Sequence, residues 1–245
     1  MARIELRDCT IYIHDGLTGN AIVSSNGTPN TGTTLNINTV VTNLTLNQTV
    51  PVGARFYVAG ETINTIHTVN SVNTTANVTD WFSFTPNLGA GDVDTANVVT
   101  FLPIQLEIKI GEGNMTWSEK KEYEYLMDRG NLDTVKEGNE VPIDVSLEFV
   151  YEYVKTGTSE DTTPVDALKQ VGGAAAWTSS SSDQCEPYCV DIIVDHIVPC
   201  GSVQDEKVHL DMFRYESLDF DLQAATISVS GKCNVSEATV TRYTA

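Results

Sequence analysis

Basic side chains are scarce in this 245-residue chain: 14 Lys and Arg face 33 Asp and Glu, a net charge of −19. That imbalance repels phosphate backbones and argues against a protein that holds nucleic acid by counterion release. Long apolar runs are also missing. Nothing approaches the ~18 consecutive apolar residues of a membrane span, and the opening Met-Ala-Arg-Ile-Glu has no signal-peptide apolar segment. The expectation is a soluble product made in a cytoplasm, with no membrane partner. Cysteine is sparse, five in all with only Cys9 near the N-terminus, which fits a reduced compartment better than a disulfide framework. Seven Asn-x-Ser/Thr sequons are present, but glycosylation needs a secretory route that this N-terminus does not offer. They read as by-products of Asn/Thr-rich strands and turns. There is no Gly-x-Ser-x-Gly elbow and no Gly-rich phosphate loop between a strand and a helix, so neither a hydrolase nucleophile nor a nucleotide site has support.

The length allows one large domain or two modest ones, each able to bury a core. Composition divides the chain. From Asp15 to Pro103 one basic residue, Arg55, meets five acids (Asp15, Glu61, Asp80, Asp92 and Asp94), and the segment is dense in Thr, Asn, Val and Gly. Short β-branched and aromatic runs such as Arg55-Phe56-Tyr57-Val58, punctuated by Asn26-Gly27 and Val52-Gly53, read as a small all-β module. We therefore expect residues 15–103 to be inserted into a discontinuous main domain of 1–14 and 104–245. Exposed loops are where such insertions succeed.

Strand patterns resume after the module. Ile104, Leu106, Ile108 and Ile110 alternate with polar residues. Further on, Met115, Trp117, Tyr123, Tyr125 and Met127 share one parity, and Val141, Ile143, Val145, Leu147, Phe149, Tyr151 and Tyr153 another run of period two. Two long strands joined by a charged loop at 128–140 are expected. If they pair, Glu122, Glu124, Asp144, Glu148 and Glu152 crowd the solvated face, where neighbouring like charges repel by up to ~1 kcal/mol each. One helix is signalled by Thr163 as N-cap, Pro164 in the first turn, Asp166 near the positive end of the dipole, an apolar stripe of Val165, Leu168 and Val171, and Gly172-Gly173 as the stop. Strands follow at 190–194, 206–215 and 224–233. The fold class is mainly β, of sandwich or barrel type, with one flanking helix.

Catalytic readings are weak. Cys185-x3-Cys189-x6-His196-x3-Cys200 offers the donors of a Cys3His zinc site, at a spacing that matches no standard finger. Free thiols come first, then a disulfide such as Cys185 with Cys200 or Cys233, and a metal last. Asp195 and His196 lack a placed serine, and the regular alternation of Glu122/Glu124 and Glu148/Glu152 favours a charged sheet face over a glycosidase carboxylate pair. No enzyme activity and no cofactor are expected.

Several phrases resemble those of tailed-bacteriophage tail tube proteins: Met-Ala-Arg-Ile-Glu-Leu-Arg-Asp (1–8), Leu-Glu-Ile-Lys-Ile-Gly-Glu-Gly-Asn (106–114) and Glu-Tyr-Glu-Tyr-Leu-Met-Asp-Arg-Gly-Asn-Leu-Asp (122–133). Thr-Pro-Val-Asp-Ala-Leu-Lys-Gln-Val-Gly-Gly (163–173), Phe-Arg-Tyr-Glu-Ser-Leu (213–218) and Ile-Ser-Val-Ser-Gly-Lys-Cys-Asn (227–234) extend the likeness. The resemblance implies a virion structural protein whose long hairpins, from six subunits, close a barrel around a channel, with rings stacking into a tube. It implies ring-to-ring contacts through the 128–140 loop (Asp128, Arg129, Asp133, Lys136, Glu137 and Glu140). It also implies tape measure, terminator, baseplate and sheath partners, and genomic DNA that passes without specific binding. Glu122, Glu124, Asp144, Glu148 and Glu152 are the expected lumen residues. The 15–103 module resembles small β modules that decorate the outside of some phage tails. The alternative is a tail terminator, baseplate ring or injection-tube protein of the same fold; a carbohydrate-binding β protein, from the Asn/Thr-rich insert alone, is a distant third.

Overall fold

The period-two runs become strands, and their apolar parity decides which face is covered. The computed structural model describes residues 9–22, 34–36, 50, 52–59, 65–75, 78–86, 98–109, 113–151, 162–183, 185–197 and 205–243. In chain order the strands are β1 (Cys9–His14), β2 (Gly19–Ile22), β3 (Thr34–Asn36), β4 (Arg55–Val58), β5 (His67–Thr75), β6 (Val78–Thr85), β7 (Val98–Leu102) and β8 (Gln105–Ile108). After these come β9 (Met115–Ser118), β10 (Lys121–Asp128), β11 (Asn131–Glu140), β12 (Ile143–Val150), β13 (Val190–His196), β14 (Asp205–Asp221), β15 (Thr226–Cys233) and β16 (Thr239–Tyr243). A single α-helix, α1 (Pro164–Lys169), lies among the described residues, and no helix there is long and apolar enough to cross a membrane. The fold is mainly β, built of antiparallel sheets.

Two compact units divide the chain: Met1–Ile13, Leu106–Leu168 and Cys189–Ala245 form one, His14–Gln105 and Lys169–Tyr188 the other. The sequence reading set the module at 15–103 and left 169–188 in the main domain.

The first unit holds a sheet with the order β8-β1-β13-β14-β15-β12-β9, with β16 beside β14. Its centre is the β12–β15 ladder. Ile143, Val145, Leu147 and Phe149 stand opposite Cys233, Gly231, Val229 and Ile227, all on the covered face, where each full burial of a large apolar side chain contributes about 1.5–3 kcal/mol. Gly231 is required by close approach. A Cβ there would lie 2.1 Å from the Arg214 carbonyl oxygen and 2.8 Å from the Phe213 ring, beside a bulge at Tyr215/Ser217. Val150 N donates to Lys109 O (3.1 Å) and Glu148 N to Asn114 O (2.7 Å), so the chain just after β8 and just before β9 both reach β12. The strand path curls back on itself.

In α1, Thr163 Oγ1 accepts from Asp166 N (3.1 Å) while the Asp166 carboxylate accepts from Thr163 N (3.1 Å), a reciprocal capping box. The helix ends earlier than Gly172-Gly173: Gln170 already takes φ +54°, and a short 3-10 turn, Gly172–Ala174, follows.

The second unit carries a six-stranded sheet, β2-β7-β4-β5-β6-β3. Phe56, Phe82, Phe84 and Phe101 fill its core, with Phe56 edge-on to Phe82 (5.1 Å) and Phe84 (5.3 Å). Asp15 is the polar hub. Its buried carboxylate accepts from Ile104 N (2.7 Å), Leu17 N (3.2 Å) and Thr178 N (3.2 Å), and Asp15 N donates to Ile104 O (3.1 Å). The start of the module, its return, and the 169–188 segment are therefore tied at one carboxylate. Gly16 lets the last of these close in, since a Cβ would fall 2.0 Å from Ser179 O.

Candidate assembly surface

β9 pairs with β12 only as far as Ser118↔Asp144, because β12 begins at Ile143 and Pro142 before it has no N–H for the ladder. The chain then leaves the sheet, and β10 turns back on itself. This corrects the expectation of two long strands joined by a charged loop: of 128–140, Asp128 ends β10, 129–130 turn, and Asn131–Glu140 is β11, paired with β10. Asp128 stands opposite Asn131, and the two residues between them, Arg129 (φ 50°) and Gly130 (φ 87°), both have positive φ, the geometry of a tight hairpin that matches strand twist.

Register assigns the faces. Tyr123↔Glu137, Tyr125↔Val135 and Met127↔Leu132 lie on one side; Glu124↔Lys136, Leu126↔Thr134 and Asp128↔Asn131 lie on the other. Tyr123, Tyr125, Met127, Leu132 and Val135 are 47–62% exposed. Tyr123, Tyr125 and Met127 were expected on the apolar face of a strand and Leu132 and Val135 in a charged loop; together they form an apolar stripe in solvent. The hairpin pairs with no other strand among the described residues, leaving both outer edges open. A two-stranded hairpin is marginal alone, and an open edge is a template for another chain.

Charges fix the base of the hairpin. Lys121 pairs with Glu237, which raises the lysine above its ordinary pKa and lowers the glutamate. Glu119 accepts from Ala238 N at 3.3 Å. Gly138 allows the strands to meet where a Cβ would touch Glu122 Cβ at 2.9 Å. A shallow cleft of about 230 Å³ lies between this base and Ser236-Glu237, with lysine and glutamate side chains mixed in its lining.

The expected lumen acids do not form one face. Glu122 and Glu124 are exposed on β10, whereas Asp144 and Glu148 stand on the outer face of β12 opposite Lys232 and Ser228; Glu152 lies outside the described residues. Two of them have a lysine beside them: Lys120 Nζ reaches Asp144 Oδ2 at 2.5 Å and holds that carboxyl below its ordinary range, and Lys136 faces Glu124. Asp133, Lys136, Glu137 and Glu140 are exposed on β11, with Asp128 and Arg129 at the tip.

A second apolar patch escaped the sequence reading. Tyr151 meets Phe220 edge-on (6.1 Å), and Phe220 (48%) and Leu222 (78%) are exposed at the tip of the β14–β15 hairpin. It sits past the Val150 end of β12, while β10–β11 departs near the Ile143 end, a separation of about 24 Å at ~3.4 Å per residue. Asp195 accepts from the Tyr243 hydroxyl and lies 3.7 Å from Lys207. Cys185 is an exposed thiol and Cys233 a buried one; Cys200 lies outside the described residues. Comparison with protein-family models, with curated proteins and with solved structures finds no match to this chain.

Proposed function

We propose that this protein is a structural, non-catalytic subunit of a bacteriophage tail tube. Six copies close a ring through their β10–β11 hairpins, and rings stack into a channel traversed by DNA in the virion. The observation that carries this reading is the hairpin itself, with its two open edges and five exposed apolar side chains. Joining hairpins edge to edge removes the open edges. Covering what is left exposed of those five side chains contributes roughly 1 kcal/mol each, about half of a full burial. The net charge of −19 supports a wall that releases DNA. Lumen lining falls to Glu122 and Glu124, and ring-to-ring register to the polar residues of the tip and β11. Tape measure, terminator, baseplate and sheath proteins are the implied partners.

Negative-stain microscopy and sedimentation of the wild type and of a Tyr125→Glu/Met127→Glu variant test this. Tubes are expected from the wild type, and folded single subunits from the variant. A wild type that stays monomeric at high concentration sinks the proposal. Discrete, unstacked rings would move the same fold to a terminator or baseplate role.

A further inference from the structure

The β13–β14 ladder contains a bulge. Val190 pairs with Phe213 and Ile192 with Leu210, so Asp191 alone stands against two residues, Asp211 and Met212. Met212 absorbs the extra residue with φ +54°, and its N–H donates to Asp191 Oδ1 at 2.8 Å. Bulges re-aim side chains, and this one turns Asp191 toward His209 and Asp211, which share a face of β14 at a spacing of two.

Three donor atoms converge there. His209 Nε2 lies 3.2 Å from Asp191 Oδ2 and 3.1 Å from Asp211 Oδ1. One ligand atom from each of the three half-buried residues lies within 4.8 Å of the others. Nε2 is shielded from solvent between the two carboxylates, and Asp191 first, then the Asp211 charge, hold the imidazole above its ordinary pKa. A proton on this nitrogen serves both carboxylates in the absence of an ion, and a metal ion in the same place would replace that proton. A tetrahedral metal with ligand distances of ~2.0–2.2 Å places its donors about 3.3–3.6 Å apart, and the two measured separations, 3.2 and 3.1 Å, lie about 0.2 Å or less below that range.

We propose that Asp191, His209 and Asp211 form a divalent-cation site of the zinc class. One imidazole and two carboxylates suit a first-row transition ion better than calcium, which takes six to eight oxygens. A dication balances the two carboxylates with a neutral imidazole, and solvent completes the coordination. Met212 N, already bound to the second oxygen of Asp191, orients that ligand from behind. The ion rivets β13 to β14 at the bulge, the point where their ladder is weakest, so its role is structural. This site is independent of the hairpin and of the tube reading.

The test is calorimetric titration of EDTA-stripped full-length protein with zinc chloride under a non-thiol reductant. One equivalent is expected to bind at micromolar affinity or better, and to raise the melting temperature. Asp191→Asn and His209→Gln are each expected to weaken binding at least tenfold. NMR of the wild type should show one histidine Nε2 resonance moving to the metal-bound range, a readout that does not depend on variants folding. No zinc uptake by folded wild type, uptake with no histidine shift, or equal affinity in a folded Asp191→Asn variant would each overturn the site. The last of these results assigns the zinc to cysteines elsewhere.

Discussion

Replacing Asp15 with alanine should cripple the second unit while leaving the first intact. The carboxylate satisfies three backbone donors, at 2.7, 3.2 and 3.2 Å. Hydrogen bonds to an ionised acceptor contribute about 1.5–3 kcal/mol each, and a buried donor left bare costs about 1–3 kcal/mol. The three share one acceptor and do not add, so the loss should be about 4 kcal/mol, against the ~5–15 kcal/mol that holds a typical domain together. Gly16 leaves no slack for repair, because Gly16 N is already bound to Thr178 O at 2.9 Å. In urea, with a slope of ~2 kcal/mol per molar, the midpoint should fall by about 2 M. Hydrogen exchange should locate the loss in peptides spanning 54–58 and 98–104, with 143–150 unchanged. Asp15→Asn retains one acceptor oxygen and should lose about half as much. A midpoint shift below about 0.5 M for Asp15→Ala, or an equal shift for both variants, refutes the clasp.

Three more outcomes are expected. Gly231→Val must displace the Arg214 carbonyl, 2.1 Å from the new Cβ, and should destabilise the first unit by about 3 kcal/mol or more; a thermal melt within 2 °C of wild type would contradict this. The Cys233 thiol is pushed up to about 12 by burial and then by the Asp211 and Asp191 charges. Iodoacetamide at pH 8 should therefore modify exposed Cys185 and spare Cys233 until denaturant is added. Because the unfolded chain gives up this proton near its ordinary pKa of about 8.5 and the folded chain holds it to about 12, this group lowers stability only as pH climbs through that window. Finally, on the proposed tube reading, Glu122→Lys/Glu124→Lys should leave tube assembly intact but slow genome ejection and introduce salt-dependent DNA retention; normal ejection rates would remove these acids from the proposed lumen.

Much of the first unit was legible because its signals are local. Ile143 to Phe149 alternate and are covered by β15 as the parity requires, and Thr163 with Asp166 forms its cap within four residues. The β10–β11 hairpin was not legible, since β11 is polar on most of its length and its register comes from the backbone of Arg129-Gly130; the Arg-Gly pair flanked by Asp128 and Asn131 was the available signal. The apolar parity of Tyr123, Tyr125 and Met127 was read correctly, but parity cannot say whether a face meets its own chain or another molecule. The outer half of β14, 216–221, carries polar residues and was read short. Attachment of 169–188 to the second unit depends on one carboxylate 163 residues away from its partner Thr178, and the Asp191 cluster depends on a bulge. Neither leaves a periodic trace.

The two apolar patches at opposite ends of the β12–β15 ladder are chemically unlike: one is a hairpin side bearing tyrosines, methionine, leucine and valine, the other a tip of Tyr151, Phe220 and Leu222. On the proposed tube reading the hairpin side is covered when a ring closes, and the Tyr151 tip is left for a different contact. Rings that stack through unlike faces add in one direction, each addition renewing the surface just consumed. Such growth is polar and has no internal stopping rule. The finished length must then be dictated from outside the subunit, by a ruler that spans it or a cap that ends it.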